Sequence, residues 1–257
     1  VKLGQLITLS ALVASSVAQA DLGDAKKIVG PAMANLAVNP QIFFDKNGTV
    51  DVNGTTANIR TYLAFRRFPS TPTDCGVRME ISQQLNGSEY ARAVVDGSRI
   101  WYYKYSSNTY NVFAYNHLAP IKQTEAILNT LTKTITGEDQ FLPHLLLESL
   151  LTGGDSTTGT SRWLPWMPTA KVTVTGGDIR AVSTIPNYRD ITYKTVNISG
   201  SDYLEQIIGR TERNQAGRYT INDWIMSIAT TIPAGVSFSF TPPTGSRAIA
   251  GTVAQGG

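Results

Sequence analysis

Two histidines, one cysteine and several closely spaced arginines are the reactive side chains that stand out in this 257-residue chain. His117 and His144 are far apart in sequence and form no His-Glu-x-x-His pattern, and there is no cysteine pair. A zinc site would need carboxylates that the sequence does not locate. Ser237, in Gly235-Val236-Ser237-Phe238-Ser239, does not form a nucleophile elbow and sits in an apparent strand, Ser237 to Phe240. No phosphate-cradling or dinucleotide glycine pattern occurs. Cys75 follows Pro72-Thr73-Asp74 and precedes Gly76, so it reads as a turn residue with no neighbouring base to activate it. The expectation is a protein that is not an enzyme, with no metal and no cofactor.

Binding chemistry is better represented. Arg60, Arg66, Arg67, Arg78 and Arg92 fall on adjoining β-rich stretches, and arginine matches carboxylate and phosphate geometry. Arg66, Arg78 and Arg92 are therefore candidate anion contacts at a cavity rim; alternating solvated strand positions explain them equally well. Leu63 and Phe65 share one strand face, Trp101, Tyr103 and Tyr105 another, and Phe113 and Tyr115 a third. Those seven are the candidate lining of an apolar cavity, the alternative being a plain packed core. Trp163, Trp166 and Met167 lie among Pro165 and Pro168 after a Gly/Ser/Thr-rich stretch. They form a candidate lid over the cavity mouth, or a cap folded back on the sheet.

The elements that must position these residues are mostly strands. Asp24 to Leu36 has apolar residues at helical spacing with Pro31 inside. From Ile59 the texture is β: Ile59 to Phe68, Val77 to Leu85, Glu89 to Asp96, Arg99 to Tyr105 and Thr109 to Tyr115, separated at Asn86-Gly87, Asp96-Gly97 and Ser106-Ser107-Asn108. Helical spacing returns between Ala119 and Leu151. Further strands are expected over Lys171 to Thr175, Ile179 to Ile185, Ile191 to Ile198, Tyr203 to Arg210 and Arg218 to Trp224. The fold class is mainly antiparallel β with an α insert at about 119–151. Asn47-Gly48-Thr49, Asn53-Gly54-Thr55, Asn86-Gly87-Ser88 and Asn197-Ile198-Ser199 fit the glycosylation pattern, but the three Asn-Gly pairs read first as turns.

Composition sets the frame for this. Lys and Arg number 22 against 19 Asp and Glu, a formal charge of +3 with no basic cluster, so nucleic acid is not the expected partner. A chain of this length buries roughly 70–75% of its unfolded surface and supports one core without disulfides. Residues 1–20 have the order of a secretory leader: Lys2, an apolar run from Leu6 to Val17, then Ala18-Gln19-Ala20. Cleavage after Ala20 would leave one domain, 21–257, periplasmic or secreted, with no transmembrane segment and expected to be a monomer.

A family resemblance emerges from three stretches. Val94-Val95-Asp96-Gly97-Ser98-Arg99-Ile100-Trp101-Tyr102-Tyr103, followed by Ser107 to Val112, is similar to a hairpin of LolA-like secreted proteins. Val236-Ser237-Phe238-Ser239-Phe240-Thr241-Pro242-Pro243-Thr244-Gly245 resembles their closing strand, and Tyr219 to Trp224 the strand before it. The order matches from about residue 24 to 250. The resemblance implies an incomplete, strongly curved β-barrel closed by helices around an apolar cavity. It also implies a lipid, acyl-chain or lipoprotein ligand, an envelope protein partner, and a carrier role. A structural or sensory interaction domain with a self-filled cavity is the alternative. The chain is longer than the lipoprotein carriers, and the Trp163 to Pro168 segment departs from their pattern.

Overall fold

A computed structural model describes residues 19–20, 22–69, 71–74, 76–114, 170–184 and 187–249. The expected insert at 119–151, His117, His144, Tyr115, Trp163, Trp166, Met167, Cys75 and most of the expected leader lie outside the described residues. Among the described residues, no helix is long and apolar enough to cross a membrane.

One helix, α1 (Leu22–Ala37), precedes the main run of strands. Val29, Ala32 and Leu36 recur at helical spacing on its buried side. Pro31 lies inside the helix but on its exposed side, where water can satisfy the carbonyl left without an N–H partner. Asn39 closes the helix, its Nδ2 donating to Asn35 O at 2.7 Å, and Asn35 Nδ2 in turn donates to Asp202 O at 2.6 Å.

The strands are β1 (Gln19–Ala20), β2 (Gln41–Val52), β3 (Thr55–Arg67), β4 (Val77–Leu85), β5 (Ser88–Val95), β6 (Arg99–Lys104) and β7 (Thr109–Ala114). They continue with β8 (Lys171–Thr175), β9 (Asp178–Ser183), β10 (Tyr188–Ile198), β11 (Ser201–Gln215), β12 (Arg218–Ala229) and β13 (Arg247–Ala248). All thirteen belong to one sheet in the order β1-β8-β9-β10-β11-β12-β2-β3-β4-β5-β6-β7-β13. Every pairing is antiparallel except that of β13 with β7. The mainly antiparallel β class is thus observed, but the sheet is not closed into a barrel. Among the described residues, its edges are two-residue strands, each pairing on one side only. The described helix packs against β11, β8, β10 and β1 at one end of the sheet.

Turn chemistry explains the meander. Asn86 (φ 50°) and Gly87 (φ 78°) make the tight left-handed turn that matches strand twist, as do Ala216 (φ 52°) and Gly217 (φ 77°). Only the first of these has a strong sequence signal. Two local expectations are corrected. Asn47-Gly48 is not a turn but lies in the middle of β2. Gly48 is there because β12 comes close: a Cβ on it would lie 2.3 Å from Asp223 O and 2.7 Å from Trp224 Cβ. Ser237 to Phe240 is not a strand, since it has no ladder partner. It runs as an extended strap over the sheet, held by hydrogen bonds of the Ser237 backbone with the Glu80 and Arg92 side chains and by the Phe238 and Phe240 rings.

The core lies on one face of the sheet, and α1 covers its β8, β10 and β11 end. It includes Ile42, Phe44, Leu63, Phe65, Met79, Val95, Ile100, Ile179, Tyr193, Ile207 and Met226. Trp224 belongs to the same core and lies flat across β11, where a Cβ on Gly209 would come within 2.3 Å of the indole. Lys46 Nζ sits 4.4 Å from the Trp224 ring centroid, so a buried ammonium faces an aromatic surface.

Candidate functional site

The pairing registers sort the candidate residues into two faces. On the inner face, Ile42, Phe65, Met79, Val95, Ile100 and Phe113 follow one another across β2 to β7 as a single row. The next row is Phe44, Leu63, Ile81, Ala93 and Tyr102. A third row turns polar, with Lys46, Thr61 and Gln83 followed by Ala91 and Lys104. Alternation along each strand puts these positions on one side, and neighbouring strands in register extend each row across the sheet. The first apolar row runs six strands, roughly 25 Å at the usual strand spacing, and the second five, and most of their side chains are buried. Leu63 and Phe65 are only 3% and 0% exposed. Together with Phe113, they are the sequence candidates that share this face.

Trp101 and Tyr103 point to the opposite face, and Tyr105, in the short 3₁₀ turn Tyr105–Ser107, packs its ring on Tyr103 at 4.7 Å. They lie beneath the strap. The Phe240 ring is 5.8 Å from Trp101 and 5.6 Å from Tyr103. Trp101 Nε1 donates to Asp96 Oδ2 at 2.9 Å, and Tyr103 OH donates to Asn108 Oδ1 at 2.7 Å. The seven aromatic and aliphatic candidates therefore do not line one surface. Three are inside, three are under the strap, and Tyr115 is outside the described residues, as are the lid candidates Trp163, Trp166 and Met167.

The arginines divide in the same way. Arg66, Arg78 and Arg92 are all on the strap side and all have partners. The Arg66 guanidinium lies 5.5 Å from the Phe238 ring. Arg78 binds Asp74 through two nitrogens, at 2.9 and 2.5 Å, and lies 5.5 Å from the Phe68 ring. The hydrogen bonds from Arg78 hold the Asp74 carboxyl below the ordinary carboxylate range. Arg92 Nε is 2.9 Å from Glu80 Oε1, and Arg92 Nη2 donates to Ser237 O at 3.4 Å. Glu80, 2% exposed, also accepts from Tyr62 OH at 2.6 Å and from Ser237 N at 2.9 Å. Burial, and then the bond to Glu80, push the Tyr62 phenol well above its ordinary value.

Sequence reading left Arg60 and Arg67 out of the contact set; Arg60 is paired with Asp45 at 2.9 Å, and Arg67 is the one on the inner face. Arg67 is in phase with Leu63 and Phe65. Its guanidinium carbon lies 5.9 Å from the Phe65 ring, and its Nη2 is buried without a hydrogen-bond partner. Desolvation alone lowers its basicity. The signal available in the sequence was parity, because Arg66-Arg67 adjoin and only one of them can share the Phe65 face.

The other end of the strap-side face holds an open depression of about 720 Å³, whose lining includes Arg180, Asp190, Ile208, Arg210, Asp223 and Ile225. Its charges satisfy one another: Arg180 Nη2 to Asp190 Oδ2 is 2.5 Å, and Arg210 Nη1 to Asp223 Oδ2 is 3.1 Å. Among the described residues, no group of three or more His, Cys, Asp or Glu could hold a metal ion. The inner face of β2 to β7 thus carries two largely buried apolar rows, a half-buried guanidinium with one unpartnered nitrogen, and a polar third row.

No protein-family model matches the sequence, and no curated protein matches it. Among solved structures, the chain is similar to a DUF1329 family protein from Desulfovibrio piger ATCC 29098. That similarity has 9% identity and a TM-score of 0.33, covering 86% of this chain and 98% of that one. It is also similar to LprF from Mycobacterium bovis, with 7% identity and a TM-score of 0.37, covering 87% of this chain and 98% of the other.

Proposed function

We propose that the chain is an extracytoplasmic binding or carrier protein for a lipid, an acyl chain or a lipoprotein, and that it acts by non-covalent binding. The observation that carries this reading is the pair of apolar rows on the inner face of β2 to β7. They lie beyond the strands against which α1 packs. Apolar side chains in rows of that extent suit an apolar partner wherever they are uncovered, because burial is worth roughly 25 cal/mol per Å². The leader-like first twenty residues and the LolA-like order of hairpin, penultimate strand and closing segment agree with it.

One observation favours a second reading, a structural or sensory interaction domain whose apolar face is filled by the chain itself. Leu63, Phe65 and Met79 are 3%, 0% and 1% exposed. Native mass spectrometry and lipid extraction of residues 21–257, purified without detergent from an envelope fraction, separate the two. A stoichiometric acyl species bound to the protein is the expected result. A clean apo mass, with no rise in melting temperature on adding lipid, would transfer the assignment to the interaction domain.

A further inference from the structure

The strap crosses the strands instead of joining them. Its seat, on the face opposite the apolar rows, is the cross-strand row Ala64, Glu80 and Val94, with Trp101 next in β6. Ala64 and Val94 are small and fully buried on either side of Glu80. Taller side chains stand in the adjoining rows, Arg66 in one and Tyr62 and Arg92 in the other, so the short row forms a channel running from β3 to β6. The segment in that channel alternates along its length. Phe238 and Phe240, two positions apart, both reach the sheet, over Arg66 and against Arg92, Trp101 and Tyr103. Ser237 and Ser239 between them bond each other through their hydroxyls at 2.9 Å. The backbone is held at one residue, Ser237, whose N–H donates to Glu80 and whose carbonyl accepts from Arg92. Main-chain hydrogen bonds for affinity, with side-chain contacts at alternate positions for specificity, are the division of labour by which extended peptides are recognised.

The seat does not depend on the strap for its own polar contacts. Glu80 keeps Tyr62 and Arg92, Trp101 keeps Asp96, and Tyr103 keeps Asn108. Withdrawal of Val236 to Phe240 therefore bares aromatic surface without stranding a buried charge, and the freed Ser237 groups return to water. Thr231, Pro233, Ala234 and Gly235 follow β12 and are exposed, so the segment leaves the sheet on a solvent-facing connection. We propose that this channel is a peptide-binding groove filled in cis by the chain's own strap, and that its partner is a protein presenting an extended segment with two aromatic residues two positions apart. A second copy of the chain is the weaker occupant, because its strap carries the same residues and competes with a cis strap at an effective concentration on the order of millimolar. A different protein adds contacts beyond the channel. The groove lies on the face opposite the apolar rows, so the proposal does not rest on acyl binding.

Fluorescence anisotropy on the full chain tests this, with a labelled peptide of residues 234–243 and the same peptide with both phenylalanines replaced by serine. Wild type is expected to bind the phenylalanine peptide weakly, because the cis strap competes. Phe238→Ser with Phe240→Ser in the protein removes that competition and is expected to tighten binding about tenfold or more. The serine peptide is expected to bind neither protein, and adding Trp101→Leu to the strap variant should weaken the phenylalanine peptide about tenfold. Circular dichroism checks that the strap variant keeps its sheet. A second readout needs no variant: saturating phenylalanine peptide should speed proteolytic cleavage of wild type between residues 230 and 246 as the cis strap is displaced, and the serine peptide should not. If the strap variant unfolds, the cleavage rate alone decides. Equal affinity of wild type and the folded strap variant, or an unchanged cleavage rate, would overturn the groove. Wild-type dimers that grow with concentration and vanish in the strap variant would give the groove to a second copy and overturn the partner assignment.

Discussion

The carboxylate of Glu80, 2% exposed in the middle of β4, accepts a hydrogen bond at 2.9 Å from the backbone N–H of Ser237. That bond joins the sheet to a strap 157 residues further along the chain. Tyr62 and Arg92 take the other carboxylate oxygen, so one buried acid organises both the sheet surface and the segment that crosses it. Around this anchor, Phe238 and Phe240 cover guanidinium and aromatic faces in turn.

Replacing Glu80 therefore has a larger effect than an exposed acid would. Glu80→Gln keeps the shape but leaves Arg92 without its counter-ion in a low-dielectric setting, a loss expected at about 3 kcal/mol. Chemical denaturation followed by tryptophan fluorescence measures it. A change below about 0.5 kcal/mol, the scale of ordinary surface substitutions, would show that the pair is solvated in solution.

Phe240→Ala is expected to destabilise by about 1–3 kcal/mol, because the half-buried ring contacts Trp101, Tyr103 and Arg92. Limited proteolysis supplies the second readout. Cleavage between residues 230 and 246 should accelerate in the variant while the sheet stays intact, and an unchanged cleavage pattern would count against the strap as a clamp.

Gly209 and Trp224 form a packing pair with no room for a methyl group, since a Cβ would come within 2.3 Å of the indole. Gly209→Ala is expected to cost about 1–3 kcal/mol by overpacking. In the Trp224→Leu background most of that cost should vanish, giving a positive coupling in a double-mutant cycle. Simple additivity would place the strain elsewhere.

Acid and alkali act through different groups. The Asp96 carboxyl feels burial, which raises its pKa, but hydrogen bonds from Trp101, Ser98 and Arg99 outweigh this and hold it below its ordinary 3.8. Its contribution is present above that value and is lost as pH falls through the lower folded value. Asp96→Asn should therefore flatten the acid limb of the stability curve. The Tyr62 phenol is shifted upward from its ordinary 10.0, so its contribution is full below pH 10 and is lost as pH rises beyond it. Tyr62→Phe should flatten the alkaline limb, as read from thermal melts across pH, and leave the acid limb unchanged.

Much of the β framework was legible because its turns and its alternation agree. Val77–Leu85 and Lys171–Thr175 coincide with the expected runs, and the helix begins two residues earlier and ends one later than expected. β2 escaped because Asp45-Lys46-Asn47-Gly48 has turn composition, and only the approach of Trp224 from a strand far away in sequence explains a glycine there. The Ser237 to Phe240 stretch has strand composition but no neighbour to pair with, something alternation along one segment cannot reveal. The same holds for the site. Parity within β3 separates Arg66 from Arg67, but which of the two faces inward depends on which side of the sheet α1 occupies. That is a long-range fact carried by Val29, Ala32 and Leu36 packing on the same side as Phe65.

The two ends of the sheet bear on how the protein behaves in a crowded solution. An open sheet offers unpaired backbone groups at both margins, a ready template for another chain to extend. At one margin β13 pairs with Thr109 and Tyr110 alone, so the longer β7 presents an interrupted ladder; at the other, removal of the expected leader after Ala20 would take β1 with it and bare β8. The interrupted β7 margin gives a neighbouring copy little continuous length on which to nucleate, whereas a bared β8 would offer five residues of open ladder.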